Sequence, residues 1–194
     1  MSKKKVATSP SAEELRGELK RVRYNHRFRS VIRSTFYTLI VVAAIAVLVA
    51  TLWMPVLQTY GDSMTPTLQD GQIIISLKSG DFECGDVVAF YYNNKILIKR
   101  VIAGPSDWVN IDESGNIYVN GELLEEPYLD EKAFGSCDIK LPYQVPDGKY
   151  FLVGDHRSIS LDSRHSSVGC VATEQIVGKI VFRVWPLADF GYID

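Results

Sequence analysis

Between residues 34 and 61 the chain carries no charged side chain. A helix lying on the surface of a globular protein keeps a charged or polar outer face, so an uncharged run of this length excludes that reading. Cysteine is scarce. Cys84, Cys137 and Cys170 are the three, none in C-x-x-C spacing. That excludes a cysteine-built zinc site, and the odd number leaves at least one thiol unpaired within the chain. The sequence leaves their pairing open. Internal repeats and low-complexity tracts are absent, which excludes a solenoid or array. No motif asks for a metal or a cofactor, and none is expected. Beyond residue 61, helical periodicity is weak.

The first thing present is a lopsided charge distribution. Residues 1–33 hold ten Lys/Arg against three Glu, a net +7, which leaves −9 on the rest of a chain whose total is −2. A basic head can serve nucleic acid, but the apolar run directly after it points to a membrane. Residues 35–57 read TFYTLIVVAAIAVLVATLWMPVL, and roughly 20 apolar residues span the hydrocarbon of a bilayer. Tyr37 and Trp53 stand near its two ends, where aromatic rings favour the interface. The basic region is too long, and the apolar run longer than the ~7–15 residues usual, for a cleaved secretory signal. Lys and Arg flanking a span stay cytoplasmic. Arg21, Arg23, Arg27, Arg29 and Arg33 precede the span, and only Asp62 and Asp70 lie close behind it. The expectation is a basic cytoplasmic tail at 1–33, its charge against anionic lipid, a single-pass anchor helix at 34–57 in the cell membrane, and an extracytoplasmic domain at 58–194. Nucleic acid is not an expected partner.

The outer part reads as mainly β. Strands are expected at 72–78 (QIIISLK), 86–92 (DVVAFYY) and 95–103 (KILIKRVIA), the last two joined through Asn93-Asn94 as a hairpin. A second hairpin, 108–112 and 116–120, turns at Ser114-Gly115. Later strands are expected at 150–154 and 175–184. Residues 107–146, richer in acid, Gly and Pro, have the texture of an insertion on a core sheet.

Three stretches carry chemistry. In GDSMTPTLQDG, residues 61–71, Ser63 stands between Gly61 and Pro66. Glycine opens backbone geometry closed to other residues and proline fixes φ, so the serine can be presented on a rigid turn. In 95–103, period-two alternation puts Lys99 on one face with Leu97 and Val101 and turns Arg100 away. Burial among aliphatic neighbours disfavours the ammonium, and bringing its pKa from near 10.4 to about 7.5 takes roughly 4 kcal/mol. A neutral amine there can take the proton of a serine hydroxyl. In GDHRSISLDSR, residues 154–164, Asp155, Arg157, Asp162 and Arg164 alternate in sign around Ser158, Ser160 and Ser163, a pattern that can pin a loop by ion pairs.

SMTPTL (63–68), GDVVAF (85–90), KRVIAGPSD (99–107) and GDHRSISLDSR (154–164) succeed one another behind an N-terminal anchor. In this order they resemble the bacterial type I signal peptidases, across residues 36–187. The resemblance implies a β-core shared with the self-cleaving SOS-response repressors, with an inserted cap. It implies Ser63 as nucleophile, Lys99 as general base, and Ser160 orienting the lysine amine. Asp155, Arg100, Asp162 and Arg164 would form an ion-paired scaffold. The implied partners are the bilayer and the signal peptides of exported preproteins, cut after an Ala-x-Ala-like site. Met64, Leu68, Leu97 and Ile98, adjacent to the two catalytic residues, are the candidate pocket lining. The sequence departs from the family pattern at His156, where Asn is usual. It departs again in the four residues between Arg164 and Gly169, and at Gly61, where some members place a hydroxyl that helps bind the oxyanion. Other readings remain: a Ser/His/Asp hydrolase using His156 or His165 with Asp155 or Asp162, an SOS-type repressor peptidase, against which the anchor argues, and a bitopic binding module without activity.

Overall fold

The structure, a computed structural model, describes residues 12–193. Lys3, Lys4 and Lys5 of the basic head lie outside the described residues. The chain divides into two units, Met1–Val49 and Ala50–Asp194.

The first unit is dominated by a helix, α1, Ala12–Trp53. It begins far inside the stretch expected to be a tail, because Glu, Leu, Arg and Lys there are strong helix formers. It stops four residues short of the expected end: Pro55 lacks an amide hydrogen and biases the residue before it towards extended backbone. The apolar part of the helix has a mean hydropathy of 2.4 and none of it is buried against protein. Its charge-free segment, 34–53, rises about 30 Å, the thickness of a hydrocarbon core.

The second unit is built from β1 (Val56–Gln58), β2 (Ile73–Leu77), β3 (Val87–Tyr92), β4 (Lys95–Ala103), β5 (Trp108–Ile111) and β6 (Ile117–Val119). Next come β7 (Glu122–Leu123), β8 (Tyr143–Gln144), β9 (Lys149–Val153), β10 (Val171–Ala172), β11 (Ile176–Trp185) and β12 (Gly191–Tyr192). A large sheet runs β1-β2-β11-β3-β4-β9-β10, with β12 on β11, and a smaller one runs β7-β6-β5-β8. Every strand expected from the sequence is present. β1 is an addition, since its residues fall in or just beyond the expected apolar span.

Alternation along β3 sets the core. Val87 and Ala89 pack with Met64, Leu68, Ile74 and Ile180, while Val88 and Phe90 pack with Phe82, Val101 and Leu152. Both faces of the central strands are therefore covered. The small sheet is held by a third cluster, in which Val109, Ile111 and Ile117 meet Ile102, Phe151 and Val153. The β3–β4 hairpin turns where expected, with Asn93 at φ 52.

The pairing of β4 changes along its length. β3 pairs with it from Lys95 to Arg100, but β9 pairs only from Arg100 onward. Among the described strands, Lys95–Lys99 thus has one edge without a partner.

Candidate active site

Ser63 sits in a tight turn shortly after β1. Gly61, at φ +80, makes the reversal that a side chain would strain, and its N–H donates to Asp70 Oδ1 at 2.7 Å. Beyond the serine, Leu68 N–H donates to Met64 O at 2.8 Å, and Met64 and Leu68 are buried. The turn is thus pinned on both sides of the hydroxyl. Ser63 O accepts from His156 N–H at 3.1 Å, which ties the turn to the loop after β9.

Lys99 Nζ lies 2.6 Å from Ser63 Oγ. The lysine is 2% exposed and makes no ion pair among the described residues. Desolvation is the largest influence on it and lowers its pKa to about 8; Asp162 and Asp155 pull upward, and Arg164 adds to the lowering. Near neutral pH a substantial fraction of the amine is therefore unprotonated and within reach of a serine hydroxyl.

The loop 154–164 is held by buried ion pairs. Arg100 forks onto Asp155, Nε–Oδ1 3.0 Å and Nη2–Oδ2 2.8 Å. It also donates to Gly85 O at 2.7 Å and Thr67 Oγ1 at 3.1 Å, and its guanidinium lies 3.8 Å from the centre of the Tyr128 ring. Arg164 forks onto Asp162 at 2.9 and 2.8 Å, and Asp162 also accepts from Gly154 N–H at 3.0 Å. All four side chains are almost wholly buried. Sequence reasoning missed a third pair, Arg157 with Glu126, equally buried. Glu126 belongs to the segment after β7, so this pair joins the insertion to the loop beside Ser63.

One expected contact is not made. Ser160 Oγ is buried without a hydrogen-bond partner, so the anticipated bond to the Lys99 amine is absent from this structure. The loop folds the hydroxyl over Gly154 instead. A Cβ at that glycine would stand 2.2 Å from Ser160 Oγ and 2.5 Å from Ser63 O, so only glycine fits there.

The two candidate histidines bond to groups other than the Ser63 hydroxyl. His156 Nδ1 is 2.9 Å from Thr65 Oγ1 and 3.2 Å from Asp62 O. His165 contacts Ser167 Oγ at 2.9 Å and Asp138 at 3.6 Å. All three cysteines are free. Among the described residues no group of three His, Cys, Asp or Glu is placed to hold a metal.

A cavity of about 620 Å³ runs from Ser63 and Lys99 between two stretches of chain, 57–61 and 95–99. Met64, Leu68, Leu97 and Ile98 all line it. Its walls are mainly apolar, and one wall is the unpaired edge of β4, which can accept an extended peptide as an added strand.

A hydroxyl set against a buried amine whose pKa is lowered to about 8, at the end of a groove shaped for an extended chain, has the parts of a peptidase. Residues 32–185 match the family model described as signal peptidase, peptidase S26. The chain is 40% identical over 152 residues to signal peptidase IB of Staphylococcus aureus strain MRSA252, covering 68% of this chain and 78% of that one. It is 37% identical over 163 residues to signal peptidase I of Bacillus caldolyticus, covering 74% and 88%. Among solved structures, a signal peptidase I from Enterococcus faecalis V583 aligns with a TM-score of 0.44 at 27% identity, over 51% of this chain and 96% of that one. The chain belongs to the signal peptidase family, peptidase S26, and is a serine endopeptidase.

Proposed function

We propose that this enzyme removes N-terminal signal peptides from exported preproteins with Ser63 as nucleophile and Lys99 as general base. The observation that carries the reading is the 2.6 Å approach of Lys99 Nζ to Ser63 Oγ, made by an amine whose pKa is lowered to about 8. The peptide lies along the unpaired edge of β4 with its scissile carbonyl at Ser63. Ser63 Oγ attacks the carbonyl carbon while its proton passes to Lys99 Nζ. The oxyanion is met by the Ser63 N–H. Lys99 returns the proton to the leaving nitrogen, the C–N bond breaks, and the mature chain departs with a free amine. Water then gives a proton to Lys99 and attacks the ester. Ser63 recovers its proton from Lys99, and the signal peptide leaves as an acid that gives its remaining proton to solvent and becomes a carboxylate.

Met64, Leu68, Leu97 and Ile98 form the apolar wall that admits small side chains at the first and third positions before the cut, the Ala-x-Ala preference. Ser160, buried and unbonded beside Gly154, is assigned the role of orienting the lysine, although it makes no bond to the amine in this structure. The ion pairs of Arg100, Asp155, Asp162 and Arg164 fix the loop rather than take part in proton transfer. α1 holds the enzyme in the bilayer with its basic end cytoplasmic and residues 58–194 on the far side. Ser63 comes so few residues after the end of the span that it stays within roughly 20–35 Å of it even on an extended chain. A preprotein's cleavage site emerges at the same surface.

The test is cleavage of an Ala-x-Ala preprotein by the full-length enzyme in lipid. Ser63→Ala and Lys99→Ala each lose on the order of 10⁴-fold or more, while His156→Ala keeps most activity. Turnover surviving in Lys99→Ala and vanishing in His156→Ala would replace the dyad with a Ser/His/Asp arrangement.

A further inference from the structure

The insertion reaches the site through one turn. Residues 126–129, Glu-Pro-Tyr-Leu, follow β7, and Leu129 N–H donates to Glu126 O at 3.2 Å. Pro127 takes the second position, where a fixed φ suits the turn. Glu125, Pro127 and Asp130 are exposed, whereas Glu126 is buried and Tyr128 half-buried. The Tyr128 hydroxyl donates to Glu126 Oε1 at 3.2 Å, so the two inward side chains brace each other.

Each of the two grips a buried cation. Glu126 meets Arg157 with both oxygens, Oε1 on Nη2 and Oε2 on Nη1. Tyr128 lays its ring against Arg100, 3.8 Å from guanidinium carbon to ring centre, a cation–π contact. The two arginines lead to the two ends of the turn that carries Ser63. Arg100 Nη2 donates to Thr67 Oγ1 at 3.1 Å, and Thr67 Oγ1 donates to Asp155 Oδ2 at 2.5 Å. Arg157 Nε donates to Gly154 O at 3.2 Å, and its neighbour His156 donates N–H to Ser63 O at 3.1 Å. Gly154 leaves no slack between loop and turn, since a Cβ there would stand 2.5 Å from Ser63 O. We infer that Glu126 and Tyr128 are positioning residues, which hold Arg157 and Arg100 and through them keep the Ser63 hydroxyl at the Lys99 amine. This rests on the Ser63/Lys99 reading above and extends it, making the insertion a part of the catalytic apparatus. Neither residue lines the cavity in which the peptide lies, so their loss falls on kcat and spares KM. A displacement of about 1 Å at the reacting atoms costs on the order of 10²-fold in rate.

The experiment measures kcat and KM separately, for full-length enzyme in lipid vesicles on one Ala-x-Ala peptide. The temperature is one at which an unfolding scan shows each variant folded, so lost stability alone moves neither constant. Glu126→Ala should lower kcat on the order of 10²-fold with KM within about twofold of wild type. Glu126→Gln keeps the shape and one acceptor for Arg157, and should recover about tenfold of that loss. Tyr128→Phe keeps the ring over Arg100 and should lose less than about fivefold, against about tenfold for Tyr128→Leu. A folded Glu126→Ala with the kcat of wild type overturns the inference, because the pair then only holds the insertion in place; where that variant does not fold, the same result in Glu126→Gln decides. A raised KM at unchanged kcat overturns it as well, by making the turn a substrate contact. So does an acid limb whose midpoint moves towards 10.5 in Glu126→Gln, which would mean that the turn keeps water from Lys99 and does not hold Ser63. If neither Glu126 variant folds, the pair is a condition of folding and the inference falls. Lys99→Ala is run alongside: activity surviving there brings down the parent reading, whatever the Glu126 variants do.

Discussion

Arg100 and Lys99 are neighbours on β4, both almost wholly buried, and burial acts on them in opposite ways. Arg100 meets Asp155 in a two-pronged pair, just as Arg164 meets Asp162 and Arg157 meets Glu126. On that side of the site every one of these buried charges has a counter-charge in contact. Lys99 has none in contact, and its pKa falls to about 8 although Asp162 and Asp155 pull it upward. The carboxylates that could hold its proton are already engaged by guanidinium groups, and Arg164 adds its own repulsion. The arginine pairs therefore do two things: they lock the loop 154–164, and they keep two aspartates from restoring the charge of the amine.

The largest effect expected from breaking this contrast lies on the paired side. Asp155→Ala leaves the Arg100 guanidinium buried without its counter-ion, and removing one partner of such a pair costs about 3–5 kcal/mol. Thermal or denaturant unfolding of the full-length enzyme in micelles reads it directly. A loss below about 1 kcal/mol would mean that water reaches the pair and that the two sides do not differ as described.

On the unpaired side the sign reverses. A lysine whose pKa is about 8 in the folded enzyme, against an ordinary value of 10.5, binds fewer protons folded than unfolded between those two pH values. Stability therefore rises with pH through that window, and below it Lys99 costs about 3 kcal/mol. Lys99→Met should stabilise the enzyme by up to about that amount at pH 7 while abolishing turnover. The gain should shrink above about pH 8 and vanish near pH 10.5. A destabilising Lys99→Met at pH 7 would show an ammonium that burial does not penalise.

Smaller, and read from activity, is the acid limb of kcat/KM. If the neutral amine is the base, the rate tracks its unprotonated fraction: about fivefold higher at pH 8 than at pH 7, and level above about pH 9. A midpoint near 10.5, the ordinary lysine value, would place the amine in water.

Much of this site is legible in the sequence. Ser63 and Lys99 announce themselves locally, one by its Gly and Pro neighbours, the other as a cation in an aliphatic strand. The four pocket residues come from adjacency alone. Glu126 and Tyr128 are not legible: Glu126 lies 31 residues before Arg157, and nothing in the local pattern of a carboxylate tells whether it is solvated or buried. β1 merges with the apolar span in a sequence reading because hydropathy runs unbroken across Pro55; the proline itself is the signal that the helix ends. The Ser160 contact depends on a hydroxyl rotation and on how a loop closes over Gly154, which spacing cannot fix.

The subtlest difference between the two sides is how the turn that carries Ser63 is held. His156 stands where the family usually has Asn. Thr65 Oγ1 donates to Asp62 O at 2.9 Å, so its one hydrogen is spent. The His156 Nδ1 facing both groups must then carry a hydrogen of its own and donate. An Asn side chain offers a comparable N–H donor. His156→Ala should lower kcat about threefold with little change in KM, the size of one hydrogen bond. His156→Asn should restore most of the loss, and the acid limb set by Lys99 should keep its midpoint in both. Complete loss of activity in the alanine variant would make the imidazole part of the chemistry, and a shifted midpoint would couple it to the amine; either result would erase the division between a ring that holds the turn and an amine that moves the proton.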